Sequence, residues 1–251
     1  MKYIEYGKEN KDVIILLHGG GLSWWNYRDV AYKLSDSFRI ILPILDGHDG
    51  SDDDFISIED NALRIIDFID NNLSGSVLMI GGLSLGAQVL IEILTQRKDI
   101  CKYALIESAL VIPSKITSTL IKPAFDCSYD LIKYKWFSKL QFKSLKIKDK
   151  LYEEYYQSTC AISKKNMIAF LKSNLLYELK PKLKQCMADV HVFVGDKEKG
   201  VMLKSAKLIK DNIKNSTITI LPNMYHGEFS INYADVYVNT VLNIINVQKH
   251  I

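Results

Sequence analysis

The sequence has few cysteines, and none of them form a close pair. Cysteines that bind zinc or build a disulfide framework usually recur at short or repeated spacings. The four cysteines of this chain lie far apart, at Cys101, Cys127, Cys160 and Cys186. We therefore expect free thiols in a reducing compartment, no metal site and a cytoplasmic location.

Long apolar runs and an excess of one charge are missing as well. No apolar run approaches the ~18 residues of a membrane-spanning helix, and MKYIEYGKEN at the start lacks the apolar core of a signal peptide. The formal net charge is +3 and no arginine-rich tract is present, which argues against a nucleic-acid partner. These absences predict a soluble protein with a small-molecule partner, and they leave its oligomeric state open.

Strand-like and helical segments alternate along most of the chain. Its 251 residues, 48% of them hydrophobic and 24% charged, suit one large α/β domain or a domain with an insertion. Runs rich in apolar and β-branched residues predict strands over 12–17, 38–43, 76–81, 103–108, 189–195 and 217–222, with YIEY near the start as a further edge strand. Helical patterns lie between them, at 24–35, 57–72, 86–97, 201–213 and 232–247, and Ser57 with Asp60 gives a capping signal at the start of 57–72. This order predicts a doubly wound, mostly parallel sheet with its functional site along the edge where the strands end.

One long interval breaks the alternation. From about residue 113 to residue 181 no strand pattern appears, and helical and aromatic stretches take its place. Because a bare loop of this length is uncommon in a compact domain, we predict a helical cap over 113–181, inserted into a core formed by 1–112 and 182–251. Seven lysines lie between 133 and 150, with Asp149 as the one opposing acid. They form either a solvated helix face or a surface that attracts an anionic substrate.

The stretch GGLSLGAQ places a serine at an abrupt change from strand to helix. SVLMI precedes it, and QVLIEILTQ follows it with helical spacing of apolar residues. A turn this tight crowds the positions two residues before and after the serine, which accounts for Gly82 and Gly86. The G-x-S-x-G pattern matches a nucleophile elbow, which holds the hydroxyl of Ser84 above the sheet.

A serine hydroxyl needs an adjacent base, and the base needs an orienting group. The chain has five histidines, His18, His48, His191, His226 and His250. His226 follows the last predicted strand and precedes the last helix, so its loop opens on the same edge as Ser84, and we predict that it is the base. The loop DKEKG after the preceding strand offers two carboxylates, Asp196 and Glu198, as the orienting acid.

Stabilising a developing oxyanion takes two backbone N–H groups. One is predicted to be the amide of Leu85, at the amino terminus of the helix that follows Ser84. The second is predicted in the glycine stretch of LLHGGG, where the backbone can approach a ligand closely. Gly20 is the first candidate and Gly21 the second.

Taken together, LLHGGG, GHDGS, GLSLG, VGDKE and a histidine before the last helix resemble the α/β-hydrolase superfamily over nearly the whole chain. The resemblance implies Ser84 as nucleophile, His226 as base, and Gly20 with Leu85 as the oxyanion hole. Many members carry their acid three residues after the glycine that ends the strand. That position is Glu198, where the usual aspartate is absent, so Asp196 remains the alternative. His48, in the GHDGS segment, is expected to be structural.

The assembled residues favour attack by a serine on an acyl carbonyl. We predict a carboxylic-ester hydrolase, lipase- or esterase-like, that acts on a small or medium acyl substrate without a cofactor. One alternative is a thioesterase that cleaves an anionic acyl thioester. Another is a protein of the same fold that binds a ligand and does not turn it over, since the fold alone does not determine function.

Overall fold

A seven-stranded sheet forms the centre of the computed structural model, which describes residues 1–247. The strands are β1 (Tyr3–Tyr6), β2 (Val13–Leu17), β3 (Arg39–Pro43), β4 (Val77–Leu83), β5 (Cys101–Glu107), β6 (Asp189–Gly195) and β7 (Ser216–Leu221). Their order across the sheet is β1-β3-β2-β4-β5-β6-β7. β1 runs antiparallel to β3, and the other neighbouring strands pair in parallel. The carboxyl ends of the parallel strands therefore meet along one edge.

The central strands are apolar on both faces because helices cover both. Ile14 of β2 and Met79 of β4 belong to one buried cluster, whereas their neighbours Ile15 and Ile80 belong to the cluster on the opposite face. This double burial explains why the strand segments read as continuous apolar runs without clean alternation.

Ten α-helices surround the sheet within residues 1–247. They are α1 (Arg28–Leu34), α2 (Ile58–Asn72), α3 (Leu85–Gln96), α4 (Lys115–Ser128), α5 (Lys135–Ser144), α6 (Tyr152–Ala161), α7 (Lys164–Leu176), α8 (Gly200–Asn212), α9 (Glu228–Asn232) and α10 (Ala234–Val247). Short 3-10 turns lie at Trp24–Tyr27, Tyr129–Lys133, Asp149–Leu151 and Pro181–Gln185. None of the described helices has the length and apolarity needed to cross a membrane.

The prediction of a doubly wound, mostly parallel α/β sheet is confirmed. Each predicted strand is present within two residues of its predicted ends, and YIEY forms the antiparallel edge strand. The capping signal before 57–72 is present as well, since the amide of Asp60 donates to Oγ of Ser57 over 3.0 Å. The predicted helix 232–247 is present as α10, and the structure adds the short helix α9 before it. The two helices are separate because Tyr233 between them has φ −118° and ψ 50°, outside the helical region.

Residues 113–181 contain α4 to α7 and no strand. Buried hydrogen bonds attach this helical segment to the loops at the carboxyl edge of the sheet. Nε1 of Trp25 donates to Oγ of Ser158 over 3.0 Å, and the amide of Phe55 donates to Oδ1 of Asn166 over 3.1 Å. The helical segment is therefore held beside the edge where the sequence predicts the functional site.

Candidate active site

Ser84 is the single residue between β4, which ends at Leu83, and α3, which begins at Leu85. Its backbone has φ 53° and ψ −110°, a conformation that costs a non-glycine residue on the order of 1–3 kcal/mol. A Cβ on Gly86 would overlap the carbonyl oxygen of Leu17, so this position in the turn requires glycine. The strand-to-helix turn therefore has the strained geometry expected of a nucleophile elbow.

His226 lies in the loop between β7 and α9 and forms a short hydrogen bond with a carboxylate. Its Nδ1 is 2.7 Å from Oε2 of Glu198, in the loop after β6. A carboxylate can only accept, so Nδ1–H is the donor and Nε2 is left with a free lone pair. The side chain of His226 is 45% exposed, whereas that of Glu198 is 1% exposed. A half-exposed imidazole is thus oriented by a carboxylate that water does not reach.

Glu198 remains ionised although its side chain is buried. Burial alone raises the pKa of this carboxyl, but the hydrogen bond and the charge interaction with His226 outweigh burial, and the net pKa lies below its usual value. The second oxygen, Oε1, accepts from Oγ of Ser108 over 2.7 Å and from the amide of Gly195 over 2.8 Å. Three donors therefore fix this carboxylate in place.

Asp196, the alternative acid, lies elsewhere. Its side chain is exposed, and its amide donates to the carbonyl oxygen of Leu221 over 3.0 Å. The next amide along, that of Lys197, donates to the carbonyl oxygen of Met224 over 3.1 Å. The loops that carry Glu198 and His226 are therefore joined by main-chain hydrogen bonds, and Glu198 is the carboxylate that they bring to His226.

Two other histidines at the same edge of the sheet are buried and held neutral. Burial lowers the pKa of His18 to about 3 and that of His48 to about 4. Nδ1 of His18 donates to the carbonyl oxygen of Gly19, and its Nε2 accepts from the amide of Leu45. The ring of His48 stacks on Phe170 with 4.6 Å between centroids. Both side chains are buried in contacts within the protein.

The remaining two histidines are away from this site or undescribed. His191 is the third residue of β6, near the opposite edge of the sheet, and its Nε2 lies 3.6 Å from Oδ1 of Asp189. His250 lies outside the described residues. Among the described histidines, His226 alone combines exposure with a short hydrogen bond to a carboxylate.

The predicted oxyanion donors lie next to one another. A Cβ placed on Gly20 would be 3.4 Å from Cβ of Leu85, the first residue of α3. The amide of Gly19 donates to Oδ1 of Asn26 over 3.3 Å and is therefore occupied. The amides of Gly20 and Gly21 make no backbone hydrogen bond within residues 1–247. They and the amide of Leu85 remain the predicted donors to a developing oxyanion.

Ser84 and His226 line one cavity of about 240 Å³, which we name the serine cavity. Gly20 and Gly21 form part of its wall, and the helical segment supplies much of the rest. The contributions from the helical segment include Ile132, Gln141, Tyr155, Thr159, Met167 and Phe170. The wall is mainly apolar, and Oγ1 of Thr159 is a buried hydroxyl oxygen without a hydrogen-bond partner. The elements from the sheet and the helical segment thus enclose the reactive side chains together.

Two residues at the end of β5 belong to the site although the sequence analysis missed them. Ser108 has φ 53° and donates its hydroxyl to Glu198. Glu107 is buried, and burial raises its pKa to about 7; its Oε1 accepts from the amide of Ser230 over 3.3 Å. In the sequence, only their position could have indicated these two residues. They lie where β5 ends, and β5 pairs with β4, the strand that Ser84 follows.

Comparison with known proteins agrees with the fold. The family model described as "Alpha/beta hydrolase family" matches residues 14–215. Among solved structures, the enol-lactonase from Burkholderia xenovorans superposes with a TM-score of 0.80 at 15% identity, covering 98% of this chain and 96% of that one.

Two esterase structures have the same fold. The esterase from Exiguobacterium antarcticum gives a TM-score of 0.80 at 16% identity, covering 97% of this chain and 94% of its own. The malate-bound thermophilic esterase from Thermogutta terrifontis gives 0.77 at 15% identity, covering 97% and 93%. None of the curated proteins compared with the chain matches it. At these identities the structural likeness concerns the fold.

Proposed function

Because the chain belongs to the alpha/beta hydrolase family, we propose that it is a serine hydrolase that cleaves a carboxylic ester of a small or medium acyl substrate. The observation that carries this proposal is the 2.7 Å hydrogen bond from Nδ1 of His226 to Glu198, because His226 lines the same cavity as Ser84. This bond fixes the tautomer in which Nε2 accepts a proton, as the hydroxyl of a nucleophilic serine requires.

The reaction runs through an acyl-enzyme on Ser84. Oγ attacks the carbonyl carbon while its proton passes to Nε2 of His226, and the oxyanion accepts from the amides of Leu85 and Gly20, with Gly21 as the alternative donor. The bond between the carbonyl carbon and the leaving oxygen then breaks, and that oxygen takes the proton from Nε2. A water molecule attacks the acyl-enzyme in the same way and releases the carboxylic acid.

Glu198 is the orienting acid in this mechanism. Its negative charge stabilises the imidazolium that forms when His226 takes up the proton. Ser108 and the amide of Gly195 are positioning groups, because they hold the second carboxylate oxygen and do not touch the substrate. Since Glu198 is 1% exposed, water does not compete for these bonds.

The size of the serine cavity supports a short acyl chain. Its 240 Å³ lies below the ~300–1,000 Å³ common for sites of drug-sized ligands. We propose that residues 113–181 act as the cap over a core of 1–112 and 182–251, because side chains such as Ile132, Tyr155 and Phe170 complete the apolar wall. The acyl chain then packs against the cap, and the cap determines chain-length selectivity.

Labelling with a fluorophosphonate probe tests the nucleophile. We expect rapid labelling of the folded protein and none of Ser84→Ala, because Ser84 is the proposed nucleophile. A series of p-nitrophenyl esters of increasing chain length then reports on the cavity, with turnover highest for short acyl groups. A well-folded protein that takes no label and cleaves none of these esters would instead be a ligand-binding protein of this family.

A further inference from the structure

A second cavity of about 660 Å³ lies against His226, and the proposed function does not account for it. It shares two residues with the serine cavity, His226 and Leu145, and Ser84 does not line it. Lys197 and Lys199 lie in its wall, so we name it the lysine cavity. The two cavities therefore meet at His226 and Leu145.

Positive charge is in excess at the lysine cavity. Lys197 and Lys199 are exposed, and neither forms an ion pair within residues 1–247. A third ammonium, that of Lys146, lies 5.6 Å from the ring centroid of Tyr225, another residue of the wall. Glu198 is the single acid among the described lining residues, and its two oxygens are occupied by His226, Ser108 and Gly195. The lysines are thus available to a ligand.

Two helices begin at this cavity with their positive ends uncompensated. Ser114 and Thr117, at the start of α4, line it, as do Lys199 and Val201 at the start of α8. Neither helix has an acidic residue in its first turn or a side-chain cap. The partial positive charge at each amino terminus adds to that of the lysines. Apolar side chains such as Leu110 and Met202 complete the wall, which suits an organic anion with an apolar body.

The chemistry proposed for Ser84 determines which part of a substrate reaches this cavity. The acyl group stays bonded to Ser84 and therefore occupies the serine cavity. The leaving group takes its proton from Nε2 of His226 and must lie against that ring, and His226 is one of the two residues that line both cavities. The leaving group consequently extends toward the lysine cavity.

We propose that the lysine cavity binds the leaving group of the substrate and that this group carries an anion, a carboxylate or a phosphate. This inference rests on the proposed function, because it assigns the leaving group by proton transfer from His226. The substrate class is then an ester or thioester with a short apolar acyl part and an anionic alcohol or thiol part. Of the seven lysines between 133 and 150, Lys146 lies over the ring of Tyr225, a residue of the wall of this cavity.

Two butyrate esters that differ in charge test the preference. One has 4-hydroxybenzoate as its leaving group, and the other has the neutral 4-hydroxybenzamide. We expect kcat/KM to favour the charged ester roughly tenfold at low salt, since two exposed ion pairs contribute up to ~1 kcal/mol each. Added salt should reduce the ratio through screening. In Lys197→Gln/Lys199→Gln the ratio should approach one.

Lys135→Gln/Lys139→Gln is the matched control, because both lysines lie over tyrosine rings of the helical segment outside this cavity. It removes the same charge and should keep the ratio of the unmodified protein. A ratio of one in the unmodified protein, or a preference that survives Lys197→Gln/Lys199→Gln, would overturn the inference. A comparison of butyryl-coenzyme A with the butyryl thioester of N-acetylcysteamine identifies phosphate as the anion if the former is preferred.

Binding to Ser84→Ala separates this inference from the proposed function. NMR titration with 4-hydroxybenzoate needs no turnover, and we expect shifts of resonances around the lysine cavity that 4-hydroxybenzamide does not produce. Anion binding without ester cleavage by the unmodified protein means that the proposed function fails and the site stands. Cleavage of both esters without anion binding means the reverse.

Discussion

Two pairs of loops at the carboxyl edge of the sheet carry histidines and place them in opposite environments. After β2 and β3, His18 and His48 are buried with their ring centroids 5.0 Å apart, and burial holds both neutral. After β6 and β7, Glu198 and His226 form a short hydrogen bond beside open solvent. An imidazole is a buried packing group in the first pair of loops and the proposed base in the second. Water access and a charged partner make the difference.

Of the substitutions that test this contrast, replacing His226 should have the largest effect on turnover. We expect His226→Ala to lower turnover of p-nitrophenyl butyrate by on the order of 10⁶, because a triad acts as a unit, and the double variant with Ser84→Ala should be hardly worse. His191→Gln is the matched control, since His191 also lies beside a carboxylate but at the other edge of the sheet. It should keep normal turnover. Near-normal turnover in His226→Ala would assign the base to another histidine.

Replacing the acid should have the next largest effect. Glu198→Gln keeps the shape of the side chain and removes the charge that orients and stabilises His226, so turnover should fall by on the order of 10⁴. Asp196→Asn is the control from the same loop, and its exposed side chain predicts little change. Kinetic constants for the two variants decide the assignment. The reverse pattern would give the role to Asp196, and two mild effects would place the acid on another strand.

The buried histidines should affect the pH dependence of the free energy of unfolding. Unfolded His48 titrates near its ordinary pKa of 6.5, and folded His48 near 4, so the stability it contributes is complete above pH 6.5 and is lost as the pH falls. The loss amounts to about 1.4 kcal/mol per pH unit, or about 3 kcal/mol by pH 4.

His48→Gln checks this directly. Glutamine can still donate to the carbonyl oxygen of Asp46, as Nδ1 of His48 does, but it does not titrate. Urea unfolding at pH 7, 6, 5 and 4 gives the free energy of unfolding of both proteins. As the pH falls, that of the variant should rise relative to that of the unmodified protein. Parallel pH profiles would mean that burial does not lower the pKa of His48 in the folded protein.

The sequence predicts the scaffold well because the scaffold depends on local patterns. The strand over 189–195 follows from a β-branched apolar run, and the start of α2 follows from Ser57 with Asp60. The position of Ser84 follows from the steric demands of a single turn.

What the sequence leaves open depends on contacts between distant residues. The choice between Asp196 and Glu198 rests on which side chain turns toward a loop 28 residues further on. The burial of His48 rests on Phe170, which comes from α7 in the helical segment. Ser108 has no motif, and its role follows from a hydrogen bond that spans 90 residues. Neither periodicity nor spacing carries this information.

The main-chain bonds between the loops after β6 and β7 have a consequence for motion. A Cβ on Gly195 would overlap the carbonyl oxygen of Met224, so the two loops meet backbone to backbone, and the amides of Asp196 and Lys197 fasten them. We therefore expect a fluctuation of one loop to carry the other with it, so that Glu198 and His226, the proposed acid and base, move together. Their alignment exists before any substrate arrives, so the first turnover needs no slow rearrangement of these loops and should show no lag.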